Sequence, residues 1–469
     1  MAGAETELIC TRHGTATRLR CAQCETPICP TCAIRTPVGF KCPDHASRPK
    51  VRRSHTGLLV LITVVVLAGG AYGVRVLGVT KPFKAVCPTR AGPDVGIGPG
   101  GGGTTWKELA HSPLCGRFAA VSAWTGKELL VWGGQNCAGA ECPSSRAFRV
   151  ADGAAYDPAK NSWRRMAASP LEARDGAAAA WTGTELVVWG GRSRDSSVGD
   201  GAAYDPAKDR WRPIAGSPLG VAGDSASVWT GRELLVWGGD DRASGAAYDP
   251  AADTWRSMAT AAIAGRSSPV AVWSGRELLV WGGLTGDQEL GDGAAYDPAA
   301  DSWRKLAASP LSRRTGPAAT WTGTELVIWG GSGGNAVYAD GAAYNPGTDR
   351  WRALPAAPVP ARADALAVWS GREMILWGGF DTAGDSGNDG GLAVGPVGRR
   401  LAPNLIVPRG DGAAYDPTAN TWRRLEQVAL LGRGQPVGAW DGKGMIVWGG
   451  LVLVESPASA ADGARYTPR

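Results

Sequence analysis

The placement of tryptophan constrains this chain more than any other feature. All 21 indoles fall into three families of seven, each recurring at a steady interval. The first is Trp124, Trp181, Trp229, Trp273, Trp321, Trp369 and Trp440. The second, always followed by a double glycine, is Trp132, Trp189, Trp237, Trp281, Trp329, Trp377 and Trp448. The third is Trp106, Trp163, Trp211, Trp255, Trp303, Trp351 and Trp422. Indole is large and mostly apolar, so seven copies of three such rings call for seven copies of one packing unit.

One unit reads Gly176 to Gly183 (GAAAAWTG), then Glu185 to Gly191 (ELVVWGG), a variable stretch, Asp200 to Pro206 (DGAAYDP), and Trp211-Arg212. Its four short apolar runs, separated by Thr-Gly, Gly-Gly and Asp-Pro, predict a four-stranded antiparallel meander with strands A to D. Seven such units at a period near 48 residues predict an all-β, seven-bladed propeller. Small residues on strand A, as in Ala177 to Ala180, suit a narrow hub, while Trp and Tyr suit the wider gaps between blades. The third tryptophan family begins before the first double glycine, and the last unit ends at Tyr466 without a following Trp. Residues 106–110 are therefore expected to supply strand D of blade seven and close the ring, leaving no open blade edge. Four apolar residues, a double glycine, then Tyr and Trp at set offsets, repeated over 106–469, resemble the kelch repeat of galactose oxidase-like propellers.

Three further pieces precede the ring. Gly57 to Val74 is an 18-residue run without a charge. As a helix it would be about 27 Å long, and extension to Val79 gives a transmembrane helix over 57–79. A basic juxtamembrane segment, 48–56, carries Arg48, Lys50, Arg52 and Arg53, which favours a cytoplasmic N-terminus. Residues 80–105 are rich in Gly and Pro and read as a linker. Charge is uneven: 1–56 is net +5, 75–105 is net +3, and the remainder is about −2 within a total of +6. A near-neutral main body argues against nucleic-acid binding, which needs clustered cations.

Residues 1–47 hold Cys10-x2-His13, Cys21-x2-Cys24, Cys29-x2-Cys32 and Cys42-x2-His45. Four ligand pairs in so short a span predict two closed tetrahedral zinc sites, structural rather than catalytic. With too small a core to fold alone, the module would depend on its metal. The pattern, with Pro27-Ile28-Cys29-Pro30 and Val38-Gly39-Phe40, resembles the B-box type of zinc finger. That resemblance implies cross-bracing, with Cys10, His13, Cys29 and Cys32 in one site and Cys21, Cys24, Cys42 and His45 in the other. The spacing by itself equally allows sequential pairing. Cys87, Cys115, Cys137 and Cys142 all lie beyond the apolar run. An even number there suits two disulfides, Cys137–Cys142 and, by elimination, Cys87–Cys115. Thiolate ligands before the span and disulfides after it agree with a cytoplasmic N-terminus and an extracytoplasmic propeller.

Seven residues before each strand-A Trp stand Arg117, Arg174, Ala222, Arg266, Arg314, Arg362 and Arg433. One expectation makes the six arginines a cationic funnel for an anionic ligand. The other makes them structural. Four residues before each Tyr stand Asp152, Asp200, Ser244, Asp292, Asp340, Asp411 and Asp462, and the unit lacking Arg is the unit lacking Asp. Such a paired loss predicts an Arg–Asp bridge within each blade. Catalysis has little to draw on: His111 is the only histidine of the ring, so neither a two-histidine copper site nor a Ser-His-Asp relay has its parts. The recurring Glu128, Glu185, Glu233, Glu277, Glu325 and Glu373 read as strand or turn residues. Long B–C connections mark blade one (135–151) and blade six (380–410), the latter with Asp381, Asp385, Asn388 and Asp389 as a possible Ca²⁺ set.

The sequence thus predicts a single-pass cell-membrane protein whose external propeller binds a protein or glycan and whose cytoplasmic zinc finger recruits a partner. The rival expectation is an extracytoplasmic carbohydrate- or cell-wall-active enzyme using carboxylates on the loop face.

Overall fold

In the computed structural model the described residues are Leu8–Ile9, Ala16–Thr17, Ile34–Thr36, Gly39–Lys41 and 105–468 without 137–147, 195, 383–392, 395–399, 402–405, 429 and 454–456. The chain divides into two units, Met1–Pro82 and Phe83–Arg469. In the first, Leu8–Ile9 pairs with Ala16–Thr17, and Ile34–Thr36 pairs with Gly39–Lys41, both antiparallel. The eight expected zinc ligands lie outside the described residues, as does the 57–79 run. Among the described residues no helix is long and apolar enough to cross a membrane.

The second unit is built of strands, with no helix among its described residues. Seven four-stranded antiparallel sheets follow in order A-B-C-D. Blade two is typical: Ala178–Trp181, Leu186–Trp189, Gly201–Asp205 and Arg210–Pro213. Its register sets Trp181 opposite Leu186, Trp189 opposite Gly201, and Tyr204 opposite Trp211. A glycine opposite the strand-B indole leaves room for the ring: in blade three a Cβ at Gly245 would approach Trp237 Cδ1 to 3.0 Å. Strand B is wholly buried in all seven blades.

The blades form a closed ring. Strand A of each blade lies against strand A of the next, seven times round, with blade seven against blade one. Strand D of blade seven is Trp106–Glu108, paired with Gly463–Tyr466, so the first strand of the ring completes the last sheet. The strand stops at Glu108, two residues short of the expected 110.

Seven separate hydrophobic clusters make up the core, each filled from two neighbouring blades. The strand-B indoles are the largest buried side chains, and each meets the strand-D indole of the following blade at 5.2–6.0 Å between ring centroids. Tilted aromatic pairs of this kind contribute about 0.5–1.5 kcal/mol each beyond their buried area. The pairs Trp377–Trp106 and Trp448–Trp163 carry the pattern across the closing seam. The strand-A indoles pack against these same clusters. They remain partly exposed beside the A–B turns.

Candidate functional site

Two rings of charge pairs lock the blades, one at each end of the strands. At the B–C end the expected bridge is present in six blades, with Arg–Asp distances of 2.7–2.9 Å. Arg314 is representative. Its guanidinium donates to Ser312 O (2.9 Å), Gly330 O (3.0 Å) and both oxygens of Asp340 (2.7 and 3.1 Å). Its own carbonyl accepts the Gly283 N–H of the preceding blade at 3.1 Å. A Cβ on Gly282 (φ +67) would stand 2.9 Å from that carbonyl. The double glycine therefore supplies both the left-handed backbone and the close approach between blades. The same bond from Gly450 to Arg117 O closes the ring.

These contacts correct the funnel expectation for Arg117, Arg174, Arg266, Arg314, Arg362 and Arg433. All six are at most 1 % exposed and present no guanidinium surface to a ligand in the channel. Blade three, which has Ala222 and Ser244 instead, uses a substitute: Arg242 reaches from the B–C turn to the carbonyls of Leu219 and Val221.

At the opposite end, Arg304 forms a two-pronged pair with Glu277 (2.9 and 2.7 Å) and donates to the Tyr344 hydroxyl of the next blade (3.0 Å). Tyr344 in turn donates to Asp349 at 2.6 Å. Burial pushes the Tyr344 phenol up to about 12, while the Tyr344 hydroxyl it accepts holds the Asp349 carboxyl below its ordinary value. Glu128, Glu185, Glu233, Glu325 and Glu373 make the same pair with Arg164, Arg212, Arg256, Arg352 and Arg423. The sequence reading took these glutamates only as strand or turn residues. A signal was present: blade seven lacks both partners, carrying Gly444 and Lys107, and pairs Arg465 with Asp441 in their place.

Above the Arg–Asp ring, each blade begins strand A with one left-handed residue at the channel mouth: Ala119, Gly176, Asp224, Ser268, Gly316, Asp364 and Gln435, with φ of 51–61°. Backbone bonds join neighbours in this circle, from Asp224 N to Gly176 O (3.0 Å), Asp364 N to Gly316 O (2.8 Å) and Gln435 N to Asp364 O (3.0 Å). Asp224 is paired with Arg192 of the preceding blade. Among the described residues Asp364 has no such cation. It lines a cavity of about 410 Å³ between blades four and seven, whose walls are Ala, Pro, Gly, Val and Leu apart from Ser268 and Gln435. Burial raises the Asp364 carboxyl to about 6, opposed only by a hydrogen bond from Gln435 Nε2 (3.2 Å). Sequence reasoning missed this circle because its seven residues share a backbone conformation rather than a side chain.

The remaining expected sites are placed in part. Cys115 is disulfide-bonded, and Cys87, Cys137 and Cys142 lie outside the described residues. Asp381 is paired with Arg409, whereas Asp385, Asn388 and Asp389 also lie outside them. No group of three or more metal-binding side chains occurs among the described residues.

Residues 223–450, about half of the chain, match the KLHDC2/KLHL20/DRC7 Kelch-repeats domain. The matched blades are similar to kelch repeats, and together with the seven repeated sheets they support a kelch-repeat propeller. The matched stretch runs from the mouth of blade three to the double glycine of blade seven, and the geometry continues unchanged through blades one and two. No curated protein matches the chain significantly. Kelch-repeat domains are typically protein-interaction scaffolds.

Proposed function

We propose that this chain is a membrane-anchored binding scaffold. The 57–79 run would anchor it, with the kelch propeller outside binding a protein or glycan. Inside, a module holding two structural zinc ions through Cys10, His13, Cys21, Cys24, Cys29, Cys32, Cys42 and His45 would recruit a second partner. One observation carries the binding reading: the repeated charged residues at both ends of the blades are spent on holding the ring together. What differs between blades is left to recognise a ligand, namely the channel mouth and the B–C connections of blades one and six. Those connections leave the ring by short hairpins, Gln135–Asn136 with Phe148–Arg149 and Phe380–Thr382 with Ile406–Pro408, on the same end as the mouth.

The test uses the full chain in sealed cells. External protease should remove the propeller and spare 1–56, and crosslinked partners should be lost when 383–405 is replaced by a short Gly-Ser link. A propeller protected from external protease would overturn the orientation, and unchanged crosslinks would overturn the assignment to the loop face.

A further inference from the structure

The channel mouth of blades six and seven is a site made of acceptors. Asp364 and Gln435 hold successive places in the circle of left-handed residues, and Gln435 Nε2 and N both donate to Asp364. The amide nitrogen is thereby committed to the Asp364 carboxylate, and the buried Oε1 of the same amide has no hydrogen-bond partner among the described residues. Two acceptors, one of them anionic, thus share a cavity in which the Gln435 amide is the one side-chain donor seen to reach the carboxylate and Oε1 has none among the described residues. A buried acceptor without a donor costs roughly 1–3 kcal/mol, so the arrangement favours a guest that brings several N–H groups.

The rest of the cavity decides what kind of guest. Its walls are methyl, methylene and glycine backbone from strand A of blades four to six, and about 410 Å³ accommodates a four-carbon stem. Among the described residues Asp364 is the only titratable side chain lining it. A hard metal ion would need six or more oxygens, which one carboxylate and one amide do not supply. A primary ammonium needs three acceptors and tolerates an apolar sleeve around its stem.

We propose that the mouth between Asp364 and Gln435 binds a primary alkylammonium, such as a lysine side chain of a partner. The site deepens the binding-scaffold reading and rests on it, naming the chemistry that the channel selects. The raised carboxyl of Asp364 agrees with a charge that awaits its counterion.

The experiment titrates the full chain, in detergent micelles at pH 7.5, with n-butylammonium and with its neutral counterpart 1-butanol. Saturable binding of butylammonium at least tenfold tighter than butanol is expected. Asp364→Asn should bring the two to equal affinity, while Gln435→Glu, which adds a second anion, should tighten butylammonium several-fold. A chain that binds both probes alike, or variants that leave butylammonium unchanged, would overturn the proposal. The pentapeptide Gly-Gly-Lys-Gly-Gly distinguishes the source: tighter binding than butylammonium supports a protein lysine, and equal binding supports a free amine. If partner crosslinks through the blade-six loop persist while every amine is ignored, this inference alone fails and the scaffold reading stands.

Discussion

Blades three and six carry the same residue in the same place with different company. Asp224 and Asp364 have φ of 54° and 56°, and each donates its N–H to the glycine that precedes it in the circle. In both cases the preceding glycine makes the room: a Cβ at Gly316 would stand 2.5 Å from Asp364 Oδ1, and one at Gly176 would collide with Asp224 Oδ1. The residue after the preceding double glycine then separates them. It is Arg192 beside Asp224, and Ser332 beside Asp364. A second change accompanies the first. Arg192 runs over Gly223, where a Cβ would meet Arg192 Cγ at 2.8 Å, whereas the matching position before Asp364 is Ala363. Blade three is thus built to neutralise its carboxylate and blade six to leave it open. The strut below is reversed, since blade six has Arg362–Asp411 where blade three has Ala222 and Ser244. The blade with the uncompensated mouth keeps the Arg–Asp strut that blade three lacks.

The largest expected effect comes from making the two struts alike. Arg362 is buried and donates to the carbonyls of Pro360, Gly378 and Asp411 besides its ion pair. Arg362→Ala is expected to destabilise the propeller by about 3 kcal/mol, since it removes one partner of a buried pair and strands those acceptors. Adding Asp411→Ser, which reproduces the blade-three pair, should recover part of the loss. Chemical denaturation of both variants checks this, and a double variant no better than the single would show that the carbonyl contacts rather than the charge pair hold the strut.

A smaller change opens the compensated mouth. Arg192→Ser strips the cation from Asp224, a side chain only 11 % exposed, and should cost about 2 kcal/mol. It should also raise butylammonium stoichiometry from one to two, because blade three then presents the same uncompensated carboxylate as blade six. A stoichiometry that stays at one would mean that the cavity wall, not the unpaired charge, makes the site.

Much of this was legible in the chain and some was not, for reasons tied to particular residues. Seven Trp–Gly–Gly signatures and the stray Trp106 determine blade number and closure, because identical units must bury identical rings. The Arg–Asp strut was readable from its paired loss at Ala222 and Ser244, and the Glu–Arg pair was equally readable from Gly444 and Lys107. Repetition, in other words, exposes what is structural. The mouth circle repeats only as a backbone conformation, with Ala, Gly, Asp, Ser, Gly, Asp and Gln in turn, and its asymmetry depends on whether a residue from the neighbouring blade reaches it. Arg192 and Asp224 are 32 positions apart in the sequence and meet only once the blades are set side by side.

The finest test of the comparison closes the open mouth. Ser332→Arg together with Ala363→Gly reproduces the blade-three arrangement, the glycine clearing the path that Gly223 clears for Arg192. The reference is Ala363→Gly alone, which carries the backbone cost of the glycine at every pH. In the native protein the folded chain holds the Asp364 proton more tightly than the unfolded chain, with a carboxyl near 6 against 3.8. Ionising it therefore costs stability as the pH rises from about 4 to about 6, and the cost persists above that range. A cation at 332 offsets the cost only when Asp364 is charged. The double variant should accordingly match its reference at pH 4 and exceed it by about 1 kcal/mol at pH 7.5, with butylammonium binding lost. Carboxylates elsewhere, such as Asp349, contribute equally to both proteins and cancel in the difference. A gain of equal size at both pH values would mean that the new side chain stabilises by packing, and that the charge of Asp364 was never the distinction between the two blades.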